Sequence, residues 1–271
     1  MRIPFSKYHG LGNDFVIIDN TRGSVSLSLT QRRLMCSRRY GVGADGLIMV
    51  ESSKEHSFAL TFYDNDGTAG ALCGNGCRCT LAFAQSLGLV EDKTFTFEAY
   101  DGVHTGRVVS KRKCVLGFKD RRFEDIKKLD NDNFFVDTGA PHHVRYVDSI
   151  TGYDVVGEGR QLRYGKYEGI GGANVTFVDK STDGKMVCRM YDRRIDEEVP
   201  SCGTVSVAIA LIAQLHRVTP QGHVDNIGQR LYETYMEGGP LTVTFDVDED
   251  IFTNIELTGD VEHVFDGTYY F

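Results

Sequence analysis

One offset relates four separate places in this chain. Cys202 lies 129 positions after Cys73 (202 − 73 = 129), and the same step carries Gly74 to Gly203 and Gly10 to Gly139. It also carries Asp45, in Gly43-Ala44-Asp45, to Asn174, in Gly172-Ala173-Asn174, and Asn13 to His142. A single matched pair of turn glycines would be chance, but Gly and Cys landmarks in one order at one spacing indicate a duplicated half. One supersecondary plan must then be folded twice, which leaves few topologies open.

The elements fit such a plan. Period-two alternation or β-branched and aromatic enrichment predicts strands over Phe15–Asp19, Leu47–Val50, Ala59–Tyr63, Thr94–Glu98, Val103–Val109, Cys114–Phe118, Phe134–Thr138, Val144–Val147, Asn174–Val178, Met186–Tyr191, Leu241–Phe245 and Asn254–Leu257. A helix over Ser28–Tyr40 opens with a capping box, Ser28 and Gln31, and stops at Gly41. Two longer helices start at Cys73 and Cys202, and both are apolar on nearly every side over their central turns, so each belongs inside a curled sheet. The fold class is therefore α/β (α+β): two pseudosymmetric domains, each a curved, mostly antiparallel sheet wrapped round a central helix.

Composition narrows the function classes. At 271 residues, with 41% hydrophobic and 25% charged residues, the chain is long enough for two ordinary globular domains at about 150 residues each. The net charge is −8 and no basic run exceeds the pairs Arg32/Arg33 and Arg38/Arg39, so no nucleic-acid partner is expected. The longest apolar run, Val205–Ala213, is under half of the roughly 20 residues a bilayer crossing requires, so no membrane association is expected. No apolar secretory segment opens the sequence, and seven cysteines are an odd number, which together point to reduced thiols in the cytoplasm. Cys36, Cys114 and Cys188 sit in apolar patterns and read as core. Cys77 and Cys79 read as buried structural thiols: only Cys73 and Cys77 share a helix face, and no histidine pair completes a tetrahedron, so no metal is expected. The stretches Gly10–Gly12 and Gly41–Gly46 lack a Walker lysine and the Rossmann spacing, so no nucleotide cofactor is expected either.

Cys73 and Cys202 stand apart because each opens a helix. A helix N-terminus carries partial positive charge and unpaired N–H groups, so it stabilises a thiolate and binds a carboxylate in one place. The effect, about 0.3–1 kcal/mol and up to ~2 in partly buried geometry, brings a thiol from ~8.5 to near neutrality. If the pseudo-twofold aims both helix starts at one cleft, a thiolate and a thiol can take a proton from one face of a carbon and return one to the other, inverting the centre. Gly74, Asn75, Gly203 and Thr204 would offer N–H groups to the α-carboxylate, whose charge grows as the proton leaves.

These residues match a known pattern. His9-Gly10-Leu11-Gly12-Asn13-Asp14-Phe15, Gly41-Val42-Gly43-Ala44-Asp45-Gly46-Leu47, Asp66-Gly67-Thr68, Cys73-Gly74-Asn75-Gly76-Cys77-Arg78-Cys79, Gly139-Ala140-Pro141-His142, Ala173-Asn174 and Cys202-Gly203-Thr204 together make the chain resemble the diaminopimelate epimerase family nearly end to end. The first stretch, and Asp66-Gly67-Thr68 followed by Cys73 to Cys79, are specific; the others are short. The resemblance implies a small-molecule amino-acid substrate, no cofactor and, because members often dimerise, a homodimer. It implies that Cys73 and Cys202 are the catalytic acid/base pair, that Gly74, Asn75, Gly203 and Thr204 hold the reacting carboxylate, and that Asn13, Asn174 and either Arg193 or Arg194 grip the distal end. His142 is expected in the cleft. The family's last strand returns to the first domain, which gives domains of 1–118 plus 262–271 and 119–261.

The departures fall at the distal end. Asp64 stands where the family usually has an asparagine, and Ala140 replaces a second amide. The segment before the second cysteine, Asp192 to Ser201, is one residue longer than the family pattern; Glu198 keeps the family's second glutamate, Asp192 replaces the first, and the equivalent arginine is ambiguous. Asp192 and Glu198 are candidates for the substrate ammonium. Stereoinversion of diaminopimelate from LL to meso is the leading expectation. Racemisation of another amino acid, such as histidine, is the alternative that an anionic Asp64 would suit. Behind these stand an isomerase of a non-amino-acid carbon acid and a non-catalytic amino-acid binder or thiol redox protein.

Overall fold

The computed structural model describes residues 1–70, 73–91, 93–180, 185–218, 223–224 and 229–271. They form two compact units, Met1–Gly117 with Thr258–Phe271, and Phe118–Leu257.

In the first unit, β1 (Arg2–Gly10) and β2 (Asn13–Asp19) form an antiparallel hairpin whose two-residue turn needs left-handed backbone at Leu11 and Gly12. Helix α1 (Leu29–Cys36) leads to β3 (Gly46–Glu51), parallel to β2, and β4 (Ala59–Asp64) returns antiparallel to β3. Helix α2 (Gly74–Ser86) follows, then β5 (Phe95–Ala99), parallel to β4, and the antiparallel strands β6 (Gly102–Ser110) and β7 (Lys113–Gly117). Helix α2 packs on β1, β2, β3, β6 and β7, and every residue from Gly74 to Ala84 is buried.

The second unit repeats the order. After the two-residue strands β8 (Arg121–Arg122) and β9 (Lys127–Lys128) come β10 (Asn133–Asp137) and β11 (Pro141–Val147), antiparallel. Helix α3 (Val155–Gly165) leads to β12 (Asn174–Asp179), parallel to β11, and β13 (Met186–Asp192) returns antiparallel to β12. A short β14 (Glu197–Val199) precedes helix α4 (Gly203–His216). Then come β15 (His223–Val224), β16 (Arg230–Met236), parallel to β13, and β17 (Gly239–Asp248), antiparallel to β16. Strand β18 (Ile251–Asp260) carries the chain out of this unit, and β19 (Glu262–Tyr270) pairs antiparallel with β1. Helix α4 packs on β10, β11, β16 and β17. Its Val205, Val207, Ile209, Leu211 and Ile212 have no exposed surface, and each contributes about 1.5–3 kcal/mol of burial.

Hairpin, helix, parallel strand, antiparallel strand, central helix, parallel strand and antiparallel return thus occur twice, which is the duplication that the 129-residue offset announces. One expectation needs correction. The first helix ends at Cys36 rather than Tyr40, because Ser37 turns extended and the carbonyls of the last turn are taken by the returning loop: Met35 O accepts from Val42 and Gly43, and Cys36 O from Ala44. The helix α3 and the strands β1 and β16 went unforeseen. Among the described residues no helix is long and apolar enough to cross a membrane.

Candidate active site

Each central helix begins on a cysteine. Cys73 is the N-cap of α2, with extended backbone, and its sulfur accepts from the N–H of Gly76 at 3.5 Å. Cys202 is the N-cap of α4 and meets the Thr204 hydroxyl at 3.3 Å. Serine, threonine, aspartate and asparagine are the usual choices at this position, so a cysteine at both helix starts forgoes the preferred cap. These two thiols are half-buried, whereas Cys36, Cys77, Cys79, Cys114 and Cys188 are all buried. Burial pushes the Cys36, Cys114 and Cys188 thiols up to about 12 and holds Cys77 and Cys79 well above the ordinary thiol value too, so those five are inert near neutrality.

In the first unit the surroundings of Cys73 are ordered amide by amide. The thiol donates to Asn13 Oδ1 at 3.5 Å, and Asn75 Nδ2 donates to the same oxygen at 3.2 Å. Asn13 presents that oxygen because its Nδ2 is engaged at 2.8 Å by Asp45 Oδ2. Asp45 is held in turn by Arg38 at 2.6 Å, and Arg38 also forks onto Asp14, the ion-pair partner of buried Lys7. Behind Cys73 lies an apolar cavity of about 10 Å³, lined by Ile48, Leu60, Phe62, Cys73, Gly76, Cys77, Ala99 and Tyr100. Asp64 is half-buried at the end of β4, and strand alternation puts it on the face of Leu60 and Phe62, which line that cavity. Asn13, Gly74 and Asn75 thus surround Cys73, and Asp64 lies on the β4 face that lines the cavity behind it.

In the second unit His142 and Asn174 are register partners on β11 and β12. His142 Nε2 meets Thr204 Oγ1 at 2.8 Å, so a hydrogen-bonded line runs from the imidazole through Thr204 to Cys202. Complete burial, reinforced by the Arg193 charge, drops the His142 pKa to about 3, so the ring is neutral at working pH. The Thr204 carbonyl accepts from Thr138 at 2.8 Å, which fixes the first turn of α4.

The charged segment after β13 is folded onto this half-site. Asn174 Oδ1 accepts from the Arg193 N–H at 3.1 Å, and the Arg193 Nη1 donates to Gly172 O at 2.9 Å. Asp192 is buried and accepts from the Arg194 N–H at 2.8 Å, while the Arg194 guanidinium stands 3.6 Å from it. Arg163 Nε donates to the Arg193 carbonyl, and Asp196 is pinned by Tyr164 and Tyr191. Glu198 is engaged elsewhere: both its oxygens are taken by Arg189, at 2.7 and 2.6 Å, and Arg189 also donates to Ile150 O and Tyr153 O.

Three groups went unnoticed in the sequence. Lys7 and Arg38, which tie Asp14 and Asp45 together, are far from the cysteines along the chain and carry no spacing signal. Arg78 does carry one: it is a charged residue inside a helix otherwise apolar all round, and it is fully buried.

A family model described as diaminopimelate epimerase matches residues 5–115. A diaminopimelate epimerase from Flavobacterium psychrophilum is 36% identical, with 97% of this chain and 98% of that protein covered. One from Aquifex aeolicus is 31% identical, with 98% and 97% covered. Among solved structures, a PhzF-family phenazine biosynthesis protein from Bacillus anthracis superposes with a TM-score of 0.74 at 17% identity over 100% of both chains. A hydroxyproline epimerase from Agrobacterium vitis with bound trans-4-hydroxy-L-proline gives 0.63 at 14%, covering 98% of this chain and 92% of that one. These solved structures share the fold, and the sequence relatives settle the kinship: the chain belongs to the diaminopimelate epimerase family of isomerases.

Proposed function

We propose that the protein inverts the α-carbon of an amino acid without pyridoxal phosphate, with Cys73 and Cys202 as the acid and base, and that its substrate is LL-diaminopimelate, converted to the meso form. One observation carries the reading: of seven cysteines, the two that are not buried are the two that cap the central helices of a duplicated fold. A thiolate at one cap takes the α-proton as the C–H bond breaks. The electron pair left on carbon delocalises into the α-carboxylate, and the thiol at the other cap protonates the opposite face. The N–H groups of Gly74, Asn75, Gly203 and Thr204, at helix starts, stabilise the growing negative charge.

Diaminopimelate has a distal ammonium and a distal carboxylate, so its recognition calls for charges of both signs. Asp192 and Asp64 suit the ammonium. Arg193, whose half-buried guanidinium is bonded to a carbonyl, suits the carboxylate better than Arg194, which is exposed and beside Asp192. Glu198, neutralised by Arg189, is left out of the substrate set. Asp64 also favours a second reading, in which the distal end is purely cationic and the substrate is another basic amino acid. The names of the sequence relatives support diaminopimelate over it. Seven free thiols suit the reducing cytoplasm, and a homodimer is the proposed assembly, as is common in the family.

The test is reduced protein in deuterated water with LL-diaminopimelate and a panel of L-amino acids, read by mass for α-deuterium and by chiral chromatography for configuration. Deuterium-labelled meso product is expected. Cys73→Ala and Cys202→Ala should each lose inversion by at least about 10³-fold while remaining folded. Inversion by either variant at near wild-type rate would remove the two-thiol mechanism, and exchange with another amino acid alone would select the second reading.

A further inference from the structure

Arg78 is fully buried one turn into α2. Its Nη1 donates to the Gly74 carbonyl at 3.3 Å and its Nη2 to Asn75 Oδ1 at 2.8 Å, while Nε finds no partner among the described residues. Burial penalises its charge, and the thiols of Cys79, Cys73, Cys114 and Cys77 act on it electrostatically. A guanidinium stays charged in a protein, and a buried charge with neutral partners is expensive. The placement is unfavourable a second time, because the first turn of a helix is the positive end of its dipole. Nothing in packing alone asks for an arginine here; a methionine would fill the space without either cost.

The position makes sense if an anion forms beside it. Of the four thiols around the guanidinium, three are buried and held neutral, and Cys73 alone is half-exposed at a helix N-cap. The same guanidinium determines which way Asn75 faces. With Asn75 Oδ1 occupied by Arg78, its Nδ2 must point at Asn13 Oδ1, the oxygen that also receives the Cys73 thiol.

We propose that Arg78 is a positioning residue for Cys73: it locks the Asn75 amide and supplies a fixed positive charge, beneath the helix start, that favours the ionised thiol and the carboxylate bound next to it. The inference rests on the assignment of Cys73 to the chemistry, but its experiment reads the thiol itself and needs no turnover.

Alkylation of the reduced protein by iodoacetamide is followed across pH 5–10, with the Cys73 and Cys202 peptides quantified by mass. In Arg78→Met the Cys73 midpoint is expected to rise by about one pH unit or more, a tenfold loss of thiolate near neutrality, while the Cys202 midpoint stays put and protection of buried Cys36 from the reagent reports that the first unit is intact. Arg78→Lys keeps the charge and is expected to restore the midpoint to within about 0.3 unit, although the fork onto Asn75 and Gly74 is lost. A folded Met variant whose Cys73 midpoint is unmoved overturns the proposal. Where the Met variant does not fold, the Lys variant decides, and a midpoint that rises in it by a full unit overturns the proposal equally. Loss of inversion with both midpoints unchanged would count against the two-thiol reading and not against Arg78 alone.

Discussion

Asp14, next to Asn13, is held between two cations. Its carboxylate is 2.7 Å from Lys7 Nζ and receives two guanidinium bonds from Arg38, at 3.0 and 2.8 Å. Burial alone would raise its pKa, but the hydrogen bonds from Arg38 and Lys7 outweigh burial and hold it at about 2. With an unfolded value near 3.9, the depression contributes roughly 2 kcal/mol, fully present above pH ~4 and lost as the pH falls towards 2. Arg38 is 60% exposed and its share is screened, so most of the effect belongs to Lys7, whose side chain is 8% exposed. Asp14→Asn leaves that ammonium buried with the Gly43 carbonyl and a neutral amide, and should cost about 3 kcal/mol at pH 7. Urea unfolding followed through the reactivity of buried Cys36, which lies in the same unit, measures it. The gap between wild type and variant should narrow by about 1 kcal/mol between pH 7 and pH 3, because the wild type is then losing what the variant never had. A loss below about 1 kcal/mol, or a gap equal at both pH values, would refute the network as a source of stability.

Three further outcomes separate substrate-binding from structural residues. Arg193→Ala should raise KM for a substrate with a distal carboxylate by about tenfold to a hundredfold, and Arg194→Ala by less than about threefold; equal effects would leave the two arginines undistinguished and the assignment wrong. Thr204→Val removes the hydroxyl between His142 and Cys202 and should lower kcat about tenfold with a small change in stability, so an unchanged kcat would sever that line from the chemistry. Glu198→Ala should cost about 1 kcal/mol of stability through the lost Arg189 pair and leave kcat within about twofold, as thermal unfolding and steady-state rates would show.

What was legible in the sequence was what the chain repeats. The cysteine and glycine landmarks survive in both halves because each performs the same backbone task twice, and the helix starts at Cys73 and Cys202 followed from them. Helix α3 was invisible because Val155–Gly165 contains Gly157, Gly159 and Gly165, and of its residues only Val155 and Gly159 are buried. It is a helix by tertiary contact with β12 and β13, not by pattern. Strand β19 is mostly exposed and exists because β1 offers it a partner some 260 residues away in sequence. Glu198 looked like a binding residue because its distance from Cys202 was right. That spacing could not show that Arg189, on the neighbouring strand, had already taken both its oxygens.

The duplicated scaffold supplies two equivalent helix starts, but what faces each sulfur differs, and that difference bears on the proposed chemistry. Cys73 faces an amide oxygen, which can only accept, and Asp45 prevents that amide from turning over. Cys202 faces a hydroxyl, which can accept or donate. Which it does depends on His142, whose Nδ1 is buried without a partner among the described residues. A stranded N–H costs more than a stranded lone pair, so the network assigns the ring proton to Nε2. Thr204 then accepts from the imidazole and turns its own proton towards Cys202. The first sulfur thus meets a fixed acceptor and the second a hydroxyl that donates, so the two half-sites are chemically unequal. In the proposed inversion each thiol must both give and take a proton, and buried Arg78, bonded to the Asn75 amide that shares the Asn13 oxygen with Cys73, is the cation that the first unit places behind that thiol.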